Sequence, residues 1–275
     1  MPLKHLTLTS LKNPRVKHVV RLRNRRARDQ HQQFIIEGFR PLQFALQTGY
    51  PINELYVCQA NIQDNAFAQY VIHHCIDNDT PVVYVVPEVF RKMAYRENPE
   101  GMLALAPQNH RQLADIDTGA CSLVIVAEAV EKPGNLGTIL RSADATGVHA
   151  LILCDQCTDL FNPNVVRAST GTLFTVPVPE ATSGEAMDWL ENNNFRVLAA
   201  TPNSTTAYTD ADMSMPTAIV IGTEHAGLSN RWLERADVKV RIPMHGRADS
   251  LNVATATTLL LYEALRQRQC LHRNE

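Results

Sequence analysis

Short apolar runs alternate with longer mixed stretches along most of this chain. After residue 120 the alternation is regular. Strand-like runs fall at 121–127, 149–154, 175–179, 196–201, 217–222 and 238–243, and helical periodicity at 136–146, 163–172, 184–194, 229–236 and 251–269. Strand and helix in turn predict an α/β fold, a mostly parallel sheet with helices on both faces. Upstream the pattern is looser. It predicts strands at 34–36, 54–58, 81–86 and 102–106, with helices at 40–48 and 66–76 and a short one before the Asn-Pro-Glu-Gly turn. That is a small α/β domain. The polar stretch 108–120 reads as a linker, part of it helical. The expected organisation is a basic segment at 1–29, a small domain at 30–107, the linker, and a large domain at 121–275. No internal repeat or low-complexity tract is apparent.

Charge changes this picture at one end. The net charge of −2 carries no nucleic-acid signature. Of the 26 Lys and Arg, nine lie in residues 1–28 and 17 in the other 247; all 28 acidic residues are in that remainder, a net of −11. From Lys12 to Arg28 eight cations stand among Val16, Val19, Val20 and Leu22. Solubility faces normally mix signs. The run therefore reads as a short helix that tracks the phosphates of a polyanion, with Arg15, Lys17, Arg21, Arg23, Arg25 and Arg26 as candidate contacts. The competing reading is a solvated helix face.

Composition excludes more than it selects. Hydrophobic residues make up 45% of 275, enough for a normal core. No apolar run reaches the eighteen or so residues of a membrane span. The first residues lack the apolar block of a signal peptide, so a cytoplasmic location is expected. Six scattered cysteines are expected to be reduced thiols. Cys154 and Cys157 form a lone C-x-x-C, which lacks the second pair a structural zinc needs and is a weak redox signal.

Three segments look unlike packing elements. They are "EKPGNLGTILRSADATG" (131–147), "IVIGTEHAGLS" (219–229) and "VRIPMHGRADSLNVATATTLLLYEALRQR" (240–268), and each sets polar residues just past a strand. Open α/β sheets bind ligands there. The first has glycines at 134 and 137 but Leu136 where a dinucleotide fingerprint needs glycine, and no Lys-Ser or Lys-Thr pair for a P-loop. A nicotinamide enzyme is thereby disfavoured. In the third segment Ser250 is the expected helix N-cap. Asn252 then has weak helix propensity and no capping task, so another interaction is expected to hold it.

Together these segments resemble the TrmH/SpoU family of SPOUT-class RNA 2′-O-ribose methyltransferases. Asn135, Gly137, Ile139, Arg141 and Gly147 match its first motif. Gly222, Glu224, Gly227 and Leu228 match its second, and Ile242, Pro243, Met244, Gly246, Ser250, Leu251, Asn252 and Val253 its third. "NVVRASTGTLFTVPV" (164–178), with Arg167, is similar to the family's central segment. The resemblance covers residues 121–268. One departure is Ala254, where the family often has serine. More loosely, the first domain resembles the small substrate-binding domain of many members.

The resemblance implies a deep trefoil knot in the large domain, S-adenosylmethionine as cofactor, and no metal. It places the cofactor against Thr201, Gly222, Ile242, Met244 and Leu251, with backbone at 222, 242 and 251 holding the adenosine part. It assigns the chemistry to Arg141, with Asn135, Glu224, Ser250 and Asn252 around it, and adds Arg167 to the RNA contacts. A guanidinium is a donor fork, so clamping a phosphate and stabilising a developing alkoxide suits Arg141 better than acting as a base. The implied partners are RNA, ribosomal in preference to transfer RNA, and a second copy of the chain, packed through an apolar stripe of Val253, Ala256, Leu260, Leu261, Ala264 and Leu265. Alternatives are a transfer-RNA methyltransferase and a non-catalytic RNA-binding protein of the same fold.

Overall fold

The computed structural model describes residues 6–119 and 122–272. Cys121, the expected start of the first large-domain strand, lies outside them, as does the side chain of Cys270. The chain divides into two compact units. One comprises residues up to Asn109 together with Asp159–Phe174; the other comprises His110–Thr158 and Thr175 onward.

In chain order the elements before the linker are β1 (Leu6–Leu8), α1 (Pro14–Arg21), α2 (Arg25–His31), β2 (Gln33–Glu37), α3 (Phe39–Gln47), β3 (Glu54–Val57), α4 (Ala66–Asp77), β4 (Val82–Val85), α5 (Pro87–Met93) and β5 (Met102–Pro107). After it come β6 (Leu123–Glu128), α6 (Pro133–Ala145), β7 (Ala150–Cys154), α7 (Pro163–Ser169), β8 (Glu180–Ala181), α8 (Ser183–Asn192), β9 (Arg196–Ala200), β10 (Thr217–Ile221), α9 (Asn230–Arg235), β11 (Val238–Val240) and α10 (Val253–His272).

The first unit holds a five-stranded mixed sheet ordered β1-β4-β3-β5-β2. β1, β4 and β3 run parallel, and β5 is antiparallel to both β3 and β2. The basic segment folds into two short helices rather than one. Asn13 and Asn24 cap them, each side chain accepting the N–H two residues on. Val16, Val19 and Leu22 turn inward among Ile35, Tyr56, Val83 and Leu103, so the apolar residues between the cations are core.

Residues 159–174, read from sequence as part of the large domain, pack into this first unit. Asp159 forms a buried ion pair with Arg28 of α2. Phe161 and Phe174 pack on Phe34, with ring centroids at 4.7 and 6.3 Å. Long-range partners of this kind leave no local sequence signal.

The second unit is a six-stranded sheet ordered β11-β9-β10-β6-β7-β8, parallel throughout. β6, β7 and β10 are buried along their whole length, which explains their unbroken apolar runs. The strand expected at 175–179 is displaced to β8. The carbonyls of Pro177 and Pro179 do accept from Leu151 and Leu153 of β7. Neither proline has an N–H to return, so a regular ladder starts only at Glu180. Chain order reverses between β6 and β10, which are neighbours with Ala127 opposite Ile221. This is a topological switch point, and the segments after β6, β10 and β11 all leave from the C-terminal edge.

Candidate active site

The loop after β10 is built around Gly222. A Cβ there would overlap the carbonyl group of Gly227 and the nitrogen of Leu228. Thr223 and Gly227 exchange backbone hydrogen bonds of 3.0 and 3.2 Å, and Gly227 has φ +69°. The loop therefore folds back on its own strand end, and glycine is required at 222 by this close approach. Glu128, at the end of β6, fixes the far side of the loop: its Oε2 accepts the N–H of Ser229 at 2.8 Å. Sequence reading missed Glu128. Its signal was an acid ending a fully apolar strand.

The turn gives Glu224 two unlike oxygens. Oε1 accepts from Nδ2 of Asn135, in the first turn of α6. Oε2 is buried with no hydrogen-bond partner among the described residues. Asn135 in turn accepts, through Oδ1, from Nδ2 of Asn252 at 3.1 Å. One side chain from each of the three motif segments thus joins a single hydrogen-bonded chain, Asn252 to Asn135 to Glu224.

Asn252 also corrects an expectation. It is the N-cap of α10: its Oδ1 accepts the N–H of Ala254 at 3.0 Å and of Thr255 at 3.4 Å. The helix begins at Val253, so Ser250 falls outside it and bonds only its neighbour Asp249, at 3.2 Å. Asn252 suits both tasks because its carbonyl serves the helix while its amide donates to Asn135. The missing serine at 254 leaves nothing unmet, since the Ala254 N–H already has the cap.

Arg141 lies on the exposed face of α6, whose other face buries Leu136, Ile139, Leu140 and Ala143. Among the described residues it makes no ion pair and no side-chain hydrogen bond. A packing role through a carboxylate is therefore not in use. The helix is held to α10 next door by Ser142 and Thr258, whose hydroxyls are 2.7 Å apart.

The five expected cofactor residues sit on neighbouring strand ends. Thr201 follows β9 and donates its N–H to Val240 of β11 at 2.9 Å. Gly222 follows β10. Ile242, Met244 and Leu251 lie in the loop between β11 and α10, which is largely exposed. From Ile242 to Leu251 no backbone group bonds elsewhere in the described chain. Main-chain donors and acceptors left free in this loop are available to a ligand rich in hydroxyl and amino groups.

The stripe expected on α10 is largely consumed within the unit. Leu260, Leu261 and Ala264 are fully buried. The exposed apolar residues of the helix are instead Leu259 (38%) and Tyr262 (50%). The C-x-x-C pair is unlike a redox dithiol: burial, then Asp155, Glu128 and Glu185, push the Cys154 thiol well above its ordinary value, while Cys157 is exposed.

The cations of the basic segment divide sharply. Arg28 is 1% exposed; its Nε donates to Asp159 at 2.9 Å and its Nη1 to the carbonyls of Leu22 and Arg23. Arg23 donates to the last carbonyls of α5, that of Lys92 at 2.9 Å, and so caps a helix C-terminus instead of facing solvent. Arg15 pairs with Glu54 at 3.3 Å and Arg25 with Asp29 at 3.6 Å. Lys12, Lys17, Arg21 and Arg26 are exposed and have no partner among the described residues. Arg167 is also exposed, on α7 of the same unit.

A model of the SpoU rRNA Methylase family matches residues 122–262, and one of the MRM3-like substrate binding domain matches residues 13–104. The chain belongs to the SpoU rRNA methylase family. Among relatives within and around it, a 23S rRNA (uridine(2479)-2′-O)-methyltransferase of Streptomyces viridochromogenes is 35% identical over 90% of this chain and 87% of its own. A solved RNA 2′-O ribose methyltransferase is 40% identical, with a TM-score of 0.84 over 96% of this chain and all of that one. The SpoU methyltransferase AviRb from Streptomyces viridochromogenes, in complex with the cofactor AdoMet, is 32% identical with a TM-score of 0.86, over 94% of this chain and all of that one. These TM-scores show that the fold described above is shared with the solved methyltransferases. Among the described residues no helix is long and apolar enough to cross a membrane.

Proposed function

We propose that this chain methylates a ribose 2′-hydroxyl of ribosomal RNA at the site formed by the ends of β6, β10 and β11. It is an RNA ribose 2′-O-methyltransferase that uses S-adenosylmethionine. The observation that carries the site is the hydrogen-bonded chain through Asn252, Asn135 and Glu224, which joins all three motif segments; Arg141, on the same helix as Asn135, has no side-chain partner among the described residues.

When bound, S-adenosylmethionine supplies a methyl group already activated by its sulfonium. The protein then has to align the hydroxyl and take up its charge. Arg141, with no internal partner, offers its donor fork to the adjoining phosphate and to the developing alkoxide. Asn135 is fixed from both sides, so the first turn of α6 is held still while the RNA docks. The Oε2 of Glu224 is the uncommitted acceptor for a donor on the bound nucleoside. The free backbone between Ile242 and Leu251, with Thr201 and Gly222, reads the adenosine part. On the same reading, the loops after β9, β10 and β11 form the trefoil knot expected of the family.

The RNA is also held by Lys17, Arg21 and Arg26, with Arg167 on the same unit. The functional molecule is a cytoplasmic two-fold homodimer, and the exposed Leu259 and Tyr262 of α10 support that assembly. Light scattering should give twice the 30.7 kDa chain mass. The test of function is mass mapping of ribose methylation in ribosomal and transfer RNA with and without the protein. A single ribosomal site should lose its methyl group, and loss confined to transfer RNA would overturn the ribosomal assignment.

A further inference from the structure

The first unit carries a row of rings that neither the core nor the site above uses. On α4, Phe67, Tyr70 and His74 stand at helical spacing, with centroids 6.2 and 6.0 Å apart and ring planes tilted by about 35° from one to the next. Phe39, at the start of α3, closes the end of the row edge-on, its centroid 6.1 Å from that of Phe67 and its plane at 87° to it. Tyr70 is 57% exposed. Beside the row, Phe39, Phe67, Asn65 and the α3 side chains of Arg40, Gln43 and Phe44 line an open groove of about 380 Å³.

Three features of this groove point to one occupant. Its only charged lining residue is Arg40, a cation that lies over the Phe44 ring at 5.9 Å and makes no ion pair among the described residues. Phe44 is held in place from behind, since Gly171 packs so closely on its ring that a Cβ would overlap it. Gln43 and Gln47 are exposed and present amides that can donate and accept together. Flat rings in series, a cation and unpaired amides suit unstacked nucleobases on a charged backbone.

We infer that the α3–α4 face is a stacking platform for unpaired nucleobases of the substrate RNA, with Tyr70 as its outermost ring and Arg40 as its phosphate or base-face contact. This rests on the RNA-methyltransferase reading, and it sets the RNA's single-stranded part on a surface separate from the cations of α1 and α2. The substrate class it selects is RNA with an exposed loop or single-stranded stretch, not continuous duplex.

The probe is a twelve-nucleotide oligouridylate carrying one 2-aminopurine, which its weakly stacking neighbours leave bright and whose fluorescence falls when it stacks on a ring. The full-length protein should bind it and quench it. Tyr70→Ala and Tyr70→Leu should each weaken binding roughly five- to a hundredfold, the range for one lost base–aromatic stack. Tyr70→Phe should stay within about twofold of the parent. Equal binding by the Leu and Phe variants, binding without quenching, or no binding by the parent would overturn the platform and leave the row to a protein partner. S-adenosylmethionine affinity, read by calorimetry, and methylation of bulk ribosomal RNA are measured on the parent in parallel. If those persist while Tyr70 proves indifferent, only the platform falls; if the parent shows neither, the methyltransferase reading falls first.

Discussion

Arg28 in the first unit and Arg141 in the second have the same side chain and opposite surroundings. Arg28 is sealed in with Asp159 and two carbonyls. Arg141 is exposed and has no side-chain partner among the described residues. The same contrast holds for the regions around them. In the basic segment four of the eight cations from Lys12 to Arg28 serve the fold or an ion pair. In the second unit the amides and carboxylate of the motifs bond one another, and the arginine is left over. A residue's chemistry says what it can do. Its partners decide whether it is available to do it.

Four experiments would break or sharpen this contrast. The largest effect is expected at Arg141. Arg141→Ala should lower single-turnover methyl transfer by roughly 10²–10⁴-fold, the range for positioned proton-transfer or oxyanion-type groups. Its thermal melt should match the parent, since no internal partner is lost. Arg141→Lys should recover little, because an ammonium lacks the planar fork. A variant that melts early but transfers methyl groups normally while folded would make Arg141 a packing residue.

Arg28→Ala should do the reverse. It leaves the Asp159 carboxylate buried without its partner, at a cost of about 3–5 kcal/mol. Urea unfolding of the full chain measures this. A loss below about 0.5 kcal/mol, the usual scale for surface sites, would show that the pair is not buried in solution.

The third test separates cations by their partners. Replacing Lys17, Arg21 and Arg26 by Ala should lower the salt dependence of RNA binding by roughly 0.7–0.9 in log–log slope for each phosphate contact removed. Arg23→Ala should leave the slope unchanged and lower stability, because its guanidinium caps α5. If Arg23→Ala flattens the slope as much as the others, it leaves its cap to meet RNA.

The smallest effect is at Asn252. Asn252→Ala should cost about 1 kcal/mol through loss of the helix cap. Asn252→Ser keeps a cap oxygen but loses the amide that donates to Asn135. It should be close to the parent in stability yet slower in methyl transfer. Equal activity for the Ser variant and the parent would reduce the Asn252–Asn135 bond to a bystander.

Much of this protein was legible from its residues. The alternation of apolar runs with helical stretches placed β6, β7, β9 and β10 to within about two residues, since a strand buried on both faces has to be apolar throughout. The residues around 135 and 224 were recognisable because they match the family's motifs, and Asn252 also because its helix propensity is weak. Periodicity could not show that residues 159–174 leave the second unit for the first. That follows from Arg28 and Phe34, more than a hundred residues upstream, and no local pattern encodes such a partner. The prolines at 177 and 179 were visible, but their effect depended on which strand lay alongside.

The sequence by itself determined the chemistry on offer: an arginine inside a helix, two asparagines and a glutamate in three separated motifs, and a cationic start to the chain. Only the tertiary structure decided how those groups were spent. It made Asn252 a helix cap and a link to Asn135 at once, left one oxygen of Glu224 buried and unpaired, and turned Arg23 and Arg28 inward while leaving Arg141 free. The physical reason is that hydrogen bonds and ion pairs are satisfied by proximity in space. Proximity between residues a hundred positions apart exists only once the sheet has formed.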